Sequence, residues 1–173
     1  MGIGRKFIRY ALAPSLLLSI ALALGHTPAE GGRNEPVELF FGESEETACH
    51  SHHQVFFLGD LKDLHICAIW RGLAGTYVEH LTLILPDGYI YQILTVPFTT
   101  PGLPGSAEVE VAGRSHNVKE AWRGGGGETI VLAVLPVAGT FITQHNLVGR
   151  WTVKVSLDGQ IIDQKYVTLK KRK

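Results

Sequence analysis

Residues 149–169 read Gly-Arg-Trp-Thr-Val-Lys-Val-Ser-Leu-Asp-Gly-Gln-Ile-Ile-Asp-Gln-Lys-Tyr-Val-Thr-Leu, and no other stretch constrains the fold as tightly. Trp151, Val153, Val155 and Leu157 fall at every second position, with Thr152, Lys154 and Ser156 between them. A period of two puts an apolar row on one face of a sheet and a polar row on the other. Asp158-Gly159 supplies the positive-φ residues of a tight hairpin, and a second strand returns through Tyr166, Val167 and Leu169. A half-solvated antiparallel hairpin of this kind belongs to an all-β domain.

The preceding chain agrees. Residues 35–41 form a plausible first strand with Val37, Leu39 and Phe41 on one face, and residues 55–58 a short strand or apolar plug. In residues 64–70, Leu64, Ile66 and Ala68 share one face while His65, Cys67 and Ile69 share the other. Residues 78–85 alternate through Leu81, Leu83 and Leu85, and Pro86-Asp87-Gly88 turns the chain into a return strand over 89–96. Residues 98–106, beside Pro97, Pro101 and Pro104, read as a long surface loop, and 107–112 as a short strand carrying Val109 and Val111. Residues 118–123 read as a strand or one helical turn, and the four glycines at 124–127 as too flexible for regular structure. Residues 128–137 read as an apolar strand buried on both sides, and residues 42–53 as irregular and polar. Eight or nine short strands with turn signals every eight to twelve residues predict an antiparallel β-sandwich.

Leu147-Val-Gly-Arg-Trp-Thr-Val-Lys-Val-Ser-Leu-Asp-Gly resembles the last two strands of bacterial extracytoplasmic immunoglobulin-like domains. There a small residue and an aromatic begin the penultimate strand, and an Asp-Gly hairpin leads to the last. The resemblance covers residues 140–169 and implies an immunoglobulin-like β-sandwich. It implies no particular function, because folds of this kind host many.

The first 25 residues have the pattern of a secretory signal peptide. Arg5, Lys6 and Arg9 precede an apolar run over 10–24, broken by Pro14 and two serines, with small residues near 21–25. The run is shorter than the roughly 20 residues of a membrane-spanning helix, so no membrane span is expected after cleavage. Residues 26–34 read as a flexible lead-in, 35–169 as the domain and 170–173 as a basic tail guarding the last strand. Cleavage leaves thirteen basic residues against sixteen acidic ones, a net charge of −3. That balance gives no basic stripe for nucleic acid. Cys49 and Cys67 are the only two cysteines, and an oxidising compartment permits them to pair. Free thiols, or Cys49 as a metal ligand, are the competing readings.

Three sets of residues are candidates for function. Cys49, His50, His52 and His53, with His65 a strand later, have the donor chemistry of a zinc or copper site. In an extended segment His50 and His52 would project to one side. Second, cleavage after Gly25 leaves His26 at the mature terminus, where the amine and imidazole chelate copper. Copper-resistance carriers and oxidative polysaccharide-cleaving enzymes are similar at their N-termini, but here His26 alone matches. Third, Trp122, Tyr89 and Tyr91 are candidate ligand-binding aromatics, with Trp122 expected at the surface and Trp70 and Trp151 in the core. No Gly-x-Ser-x-Gly elbow or phosphate-loop ending is present. The expectation is an exported binding or adaptor module without catalysis or cofactor, meeting a protein or cell-envelope partner. Its contact surfaces would be the loops at 42–53, 98–106 and 124–127.

Overall fold

A computed structural model describes residues 38–104 and 108–172. The signal-peptide reading, the lead-in and the His26 terminus lie outside the described residues. Twelve strands and two short helices run in the order β1 (Glu38–Gly42), α1 (Glu45–Ala48), β2 (Val55–Phe57), β3 (Asp63–Trp70), β4 (Thr76–Ile84) and β5 (Ile90–Thr99). Next come β6 (Glu108–Val111), β7 (Arg114–Asn117), β8 (Lys119–Glu120), β9 (Trp122–Arg123), β10 (Thr129–Pro136), α2 (Phe141–Gln144), β11 (Gly149–Leu157) and β12 (Gln160–Lys170).

One sheet has the order β1-β3-β10-β9 and the other β2-β12-β11-β4-β5-β8, while β6 and β7 pair only with each other. Taken as A, B, E and D against C′, C, F and G, the two large sheets follow the immunoglobulin strand layout, with β2 added in parallel at the far edge of β12. Their inner faces close on one core. Leu39, Phe41, Ile66, Trp70, Val131 and Leu135 come from the first sheet, and Leu81, Leu83, Trp151, Val155, Val167 and Leu169 from the second. The alternating row of β11 is buried as its period requires, from Trp151 to Leu157. Asp158 and Gly159 take φ of 47° and 85° in the turn that follows.

Several sequence expectations change. The stretch 42–53 contains α1, whose Ser44 cap accepts a hydrogen bond from the Thr47 N–H. A single helical turn is too short to leave a periodic signal. Phe98 and Thr99 close β5 and are buried, so the loop begins after them. The strand at 108–111 returns through Ala112 and Gly113, both at positive φ, as the hairpin β6–β7. Residues 118–123 split between sheets: Lys119 and Glu120 pair with Phe98 and Thr99, while Trp122 and Arg123 pair with Ile130 and Thr129. The glycine run holds a 3-10 turn over Gly125–Gly127. Finally, β10 is buried on one face only: Val131, Ala133 and Leu135 enter the core, but Val134 is 39% exposed on the other side.

Candidate functional site

The outer face of the first sheet is apolar, and its rows can be read from the strand register. Glu38, Ile69, Ile130 and Trp122 lie side by side, as do Phe40, Cys67 and Leu132, and then Gly42, His65 and Val134. Over β1 and β3 this face is covered. Cys49, at the C-terminus of α1, is bonded to Cys67 of β3, with the two Cα atoms 5.2 Å apart. Phe40, Ala48 and both cysteines form a second buried cluster beneath α1. Gly42 permits the close approach, since a Cβ there would lie 2.5 Å from the Ala48 Cα. Arg71 ties the ends of β1 and β10 together, meeting Glu38 at 2.6 Å and Glu128 at 2.9 Å.

Over β10 the cover stops. Ile130 and Leu132 are half-buried, Val134 is exposed, and Trp122 is 51% exposed beside them. A cleft of about 320 Å³ opens here, with Trp122, Ile130, Leu132 and Val134 on one wall and Val96, Pro97 and Phe98 of β5 on the other. Glu45, Lys119 and Glu120 are its charged members.

The cleft runs along an unpaired strand edge. Main-chain groups of successive residues point to opposite sides of a strand. Glu128 O accepts from Gly124 N on the β9 side, and Val137 N donates to Lys62 O on the β3 side. By that alternation the N–H and C=O of Ile130, Leu132 and Val134 face away from β3. β9 occupies the position opposite Ile130 and ends there. Had the chain continued straight, Glu120 and Val118 would lie opposite Leu132 and Val134. Instead the chain crosses at Ala121, whose N–H donates to Thr99 O, and joins the other sheet. Among the described residues no strand pairs with Leu132 and Val134 on this side, and the edge ends at Pro136, which has no N–H to offer.

Two other edges are obstructed at particular positions, while β2 covers only Thr168–Lys170 of β12 and leaves its outer edge over 160–167 without a paired strand among the described residues. Lys165 donates through Nζ to the Leu39 carbonyl on the outer edge of β1 and lies 5.0 Å from the Phe40 ring centroid. On β5 the residue facing β8 between Thr95 and Thr99 is Pro97, again a position without an N–H.

The histidine loop lines a separate open groove of about 830 Å³ with Glu43 and Glu46. His50, His52 and His53 are exposed on a segment that leaves α1 as a turn and coil and is not a strand. His52 packs edge-on to Phe40 at 5.6 Å, and His53 N–H donates to Ser51 Oγ. His65 is on β3, in the row of Gly42 and Val134. The disulfide leaves Cys49 no thiolate, and among the described residues no three His, Cys, Asp or Glu side chains converge as a metal site would require. Tyr89 is 73% exposed at the β4–β5 turn, while Tyr91 packs edge-on against Trp151 at 5.3 Å. Neither shares the cleft of Trp122.

Glu79 went unnoticed in the sequence. It occupies the inward row of β4 ahead of Leu81 and Leu83 and is fully buried. Trp70 Nε1–H donates to its Oε2 at 2.7 Å, and Oε1 has no partner. Burial pushes its carboxyl up to about 8, against the smaller opposing effect of the Trp70 hydrogen bond. A glutamate in phase with two leucines was the available signal.

No protein-family model matches the chain, and no curated protein matches it. Among solved structures it is similar to the alkylpurine DNA glycosylase AlkC of Pseudomonas fluorescens, at 11% identity and a TM-score of 0.40 over 78% of this chain and 30% of that one. It is also similar to an immunoglobulin-like protein of Pseudomonas aeruginosa, at 10% identity and a TM-score of 0.38 over 80% of this chain and 100% of that one. A third likeness, to a beta-galactosidase of Bacteroides fragilis, has 12% identity and a TM-score of 0.34 over 78% of this chain and 16% of that one. The chain thus spans under a third of the glycosylase and about a sixth of the galactosidase, and at these scores none of the three bears on function.

Proposed function

We propose that this chain is an exported, non-catalytic binding module of the cell envelope or extracellular space, of the bacterial immunoglobulin-like kind. It meets a partner protein through the cleft of Trp122 and β10. The observation that carries this reading is an exposed tryptophan set beside three apolar side chains at an open strand edge. A large ring held on a rigid strand is the usual anchor of a protein contact, and a contiguous apolar patch marks an interaction surface more often than an isolated exposed residue does. The disulfide is compatible with export. Zinc or copper binding by His50, His52 and His53 gains no support from their positions and is not advanced as a second reading.

The test compares the mature protein with its Trp122→Ala form as bait against a cell-envelope extract, quantified protein by protein. We expect a partner retained by the parent and lost by the variant. The variant's stability should stay within about 0.5 kcal/mol, as for most surface changes. Equal retention by both forms would remove Trp122 from the contact.

A further inference from the structure

The open edge of β10 says more than that a partner binds; it says what shape the bound part has. We propose that the cleft takes an extended segment of a partner protein as an added strand, hydrogen-bonded to the main chain of Leu132 and Val134. This rests on the binding reading above and specifies its mode.

Four observations converge. First, the N–H and C=O of Leu132 and Val134 face the gap, and only an extended backbone satisfies both at strand spacing. Second, the gap is the line of β9, which already pairs Trp122 with Ile130 and Arg123 with Thr129, so the register is set by two existing pairs. Third, both walls are apolar: Leu132 and Val134 on the outer side, Val96 and Phe98 on the inner side. An added strand would therefore be apolar on both faces over the few residues that fill the gap. Fourth, Glu45 lies on the rim, exposed, and makes no ion pair among the described residues. Glu120 lines the same cleft, so two carboxylates stand there against one cation, Lys119. A lysine or arginine at one end of the incoming segment complements that rim. Lys165 occupies the β1 edge and Pro97 interrupts that of β5; the outer edge of β12 over 160–167 also has no paired strand among the described residues, but it lines no part of the Trp122 cleft.

The probe is the synthetic peptide Lys-Thr-Val-Ile-Val-Thr-Lys, and its control has the same sequence with alternate backbone nitrogens methylated. Methylation removes the pairing donors and keeps the side chains. We expect the parent peptide to bind and to slow amide exchange at Leu132 and Val134, and the methylated peptide to bind about tenfold more weakly or worse. Equal binding of the two peptides, without slowed exchange at those amides, would overturn strand addition and leave Trp122 as a side-chain contact. Absence of peptide binding at about 1 mM, the weak end of specific affinity, would also overturn it, whereas the binding reading fails only if the Trp122→Ala comparison shows no loss. Protection of the same amides in concentrated protein without peptide would assign the gap to a second copy of this chain and overturn the assignment to a partner.

Discussion

At Glu79 the inward row of β4 carries a carboxyl where Leu81 and Leu83 carry hydrocarbon. Its ordinary value is 4.5 and burial raises it to about 8. Below about pH 4.5 the folded and unfolded chains both hold the proton, and stability is unaffected. Between about 4.5 and about 8 the unfolded chain releases a proton that the folded one keeps, so stability falls by about 1.4 kcal/mol per pH unit. Above about 8 the folded state ionises too and the loss levels off. Glu79→Gln removes this titration and keeps the size of the side chain. In urea titrations from about pH 5 to about pH 9, the difference in stability between parent and variant should move in the variant's favour up to about pH 8 and then level off. Parallel curves would mean that Glu79 titrates alike in both states. Alternation made the burial of position 79 legible in principle, but the residue type pointed outward, and sequence did not show that Trp70 would supply a donor.

The elements divide into those with a long period and those without. β4 and β11 were legible because their residues repeat a pattern of two at length, and β12 because the Asp158-Gly159 turn returns the chain beside β11. α1 was not, since it is one turn long, and its position depends on the Cys49–Cys67 bond and on Gly42. Replacing both cysteines by serine should cost about 3 kcal/mol, from the loop of 18 residues that the bond closes. Gly42→Ala forces a Cβ against the α1 backbone and should cost about 1–3 kcal/mol. In the serine background α1 is free to shift, so the cost of Gly42→Ala should shrink, a coupling that denaturant unfolding of the four proteins measures. Strictly additive costs would mean that α1 does not yield. The misreading of β10 has a similar origin. Its composition suits a strand buried on both faces, but burial of the outer face depends on the strand beside it, and that strand turns away at Ala121.

For the whole molecule, the open line that Trp122 flanks is the one beside β10. Two sheets share a core, a disulfide-pinned helix covers the outer face over β1 and β3, and Lys165 and Pro97 obstruct the edges of β1 and β5. Among the described residues, β10 combines apolar side chains, a neighbouring exposed tryptophan and main-chain groups without a strand partner on one border. Trp122 as the surface tryptophan was legible from its charged and glycine neighbours; the gap beside it was not, because it arises from the pairing of β8 with β5. The histidine cluster was prominent in sequence, and His50, His52 and His53 line one open groove after the turn that ends α1. The proposed strand addition depends on the open edge of β10. Residue-resolved amide hydrogen exchange on the isolated protein tests it most directly. The account predicts alternation, with Val131, Ala133 and Leu135 slow because their N–H groups pair with β3, and Leu132 and Val134 fast because theirs face solvent. Uniform protection from Val131 to Leu135 would contradict it, since the edge would already be filled.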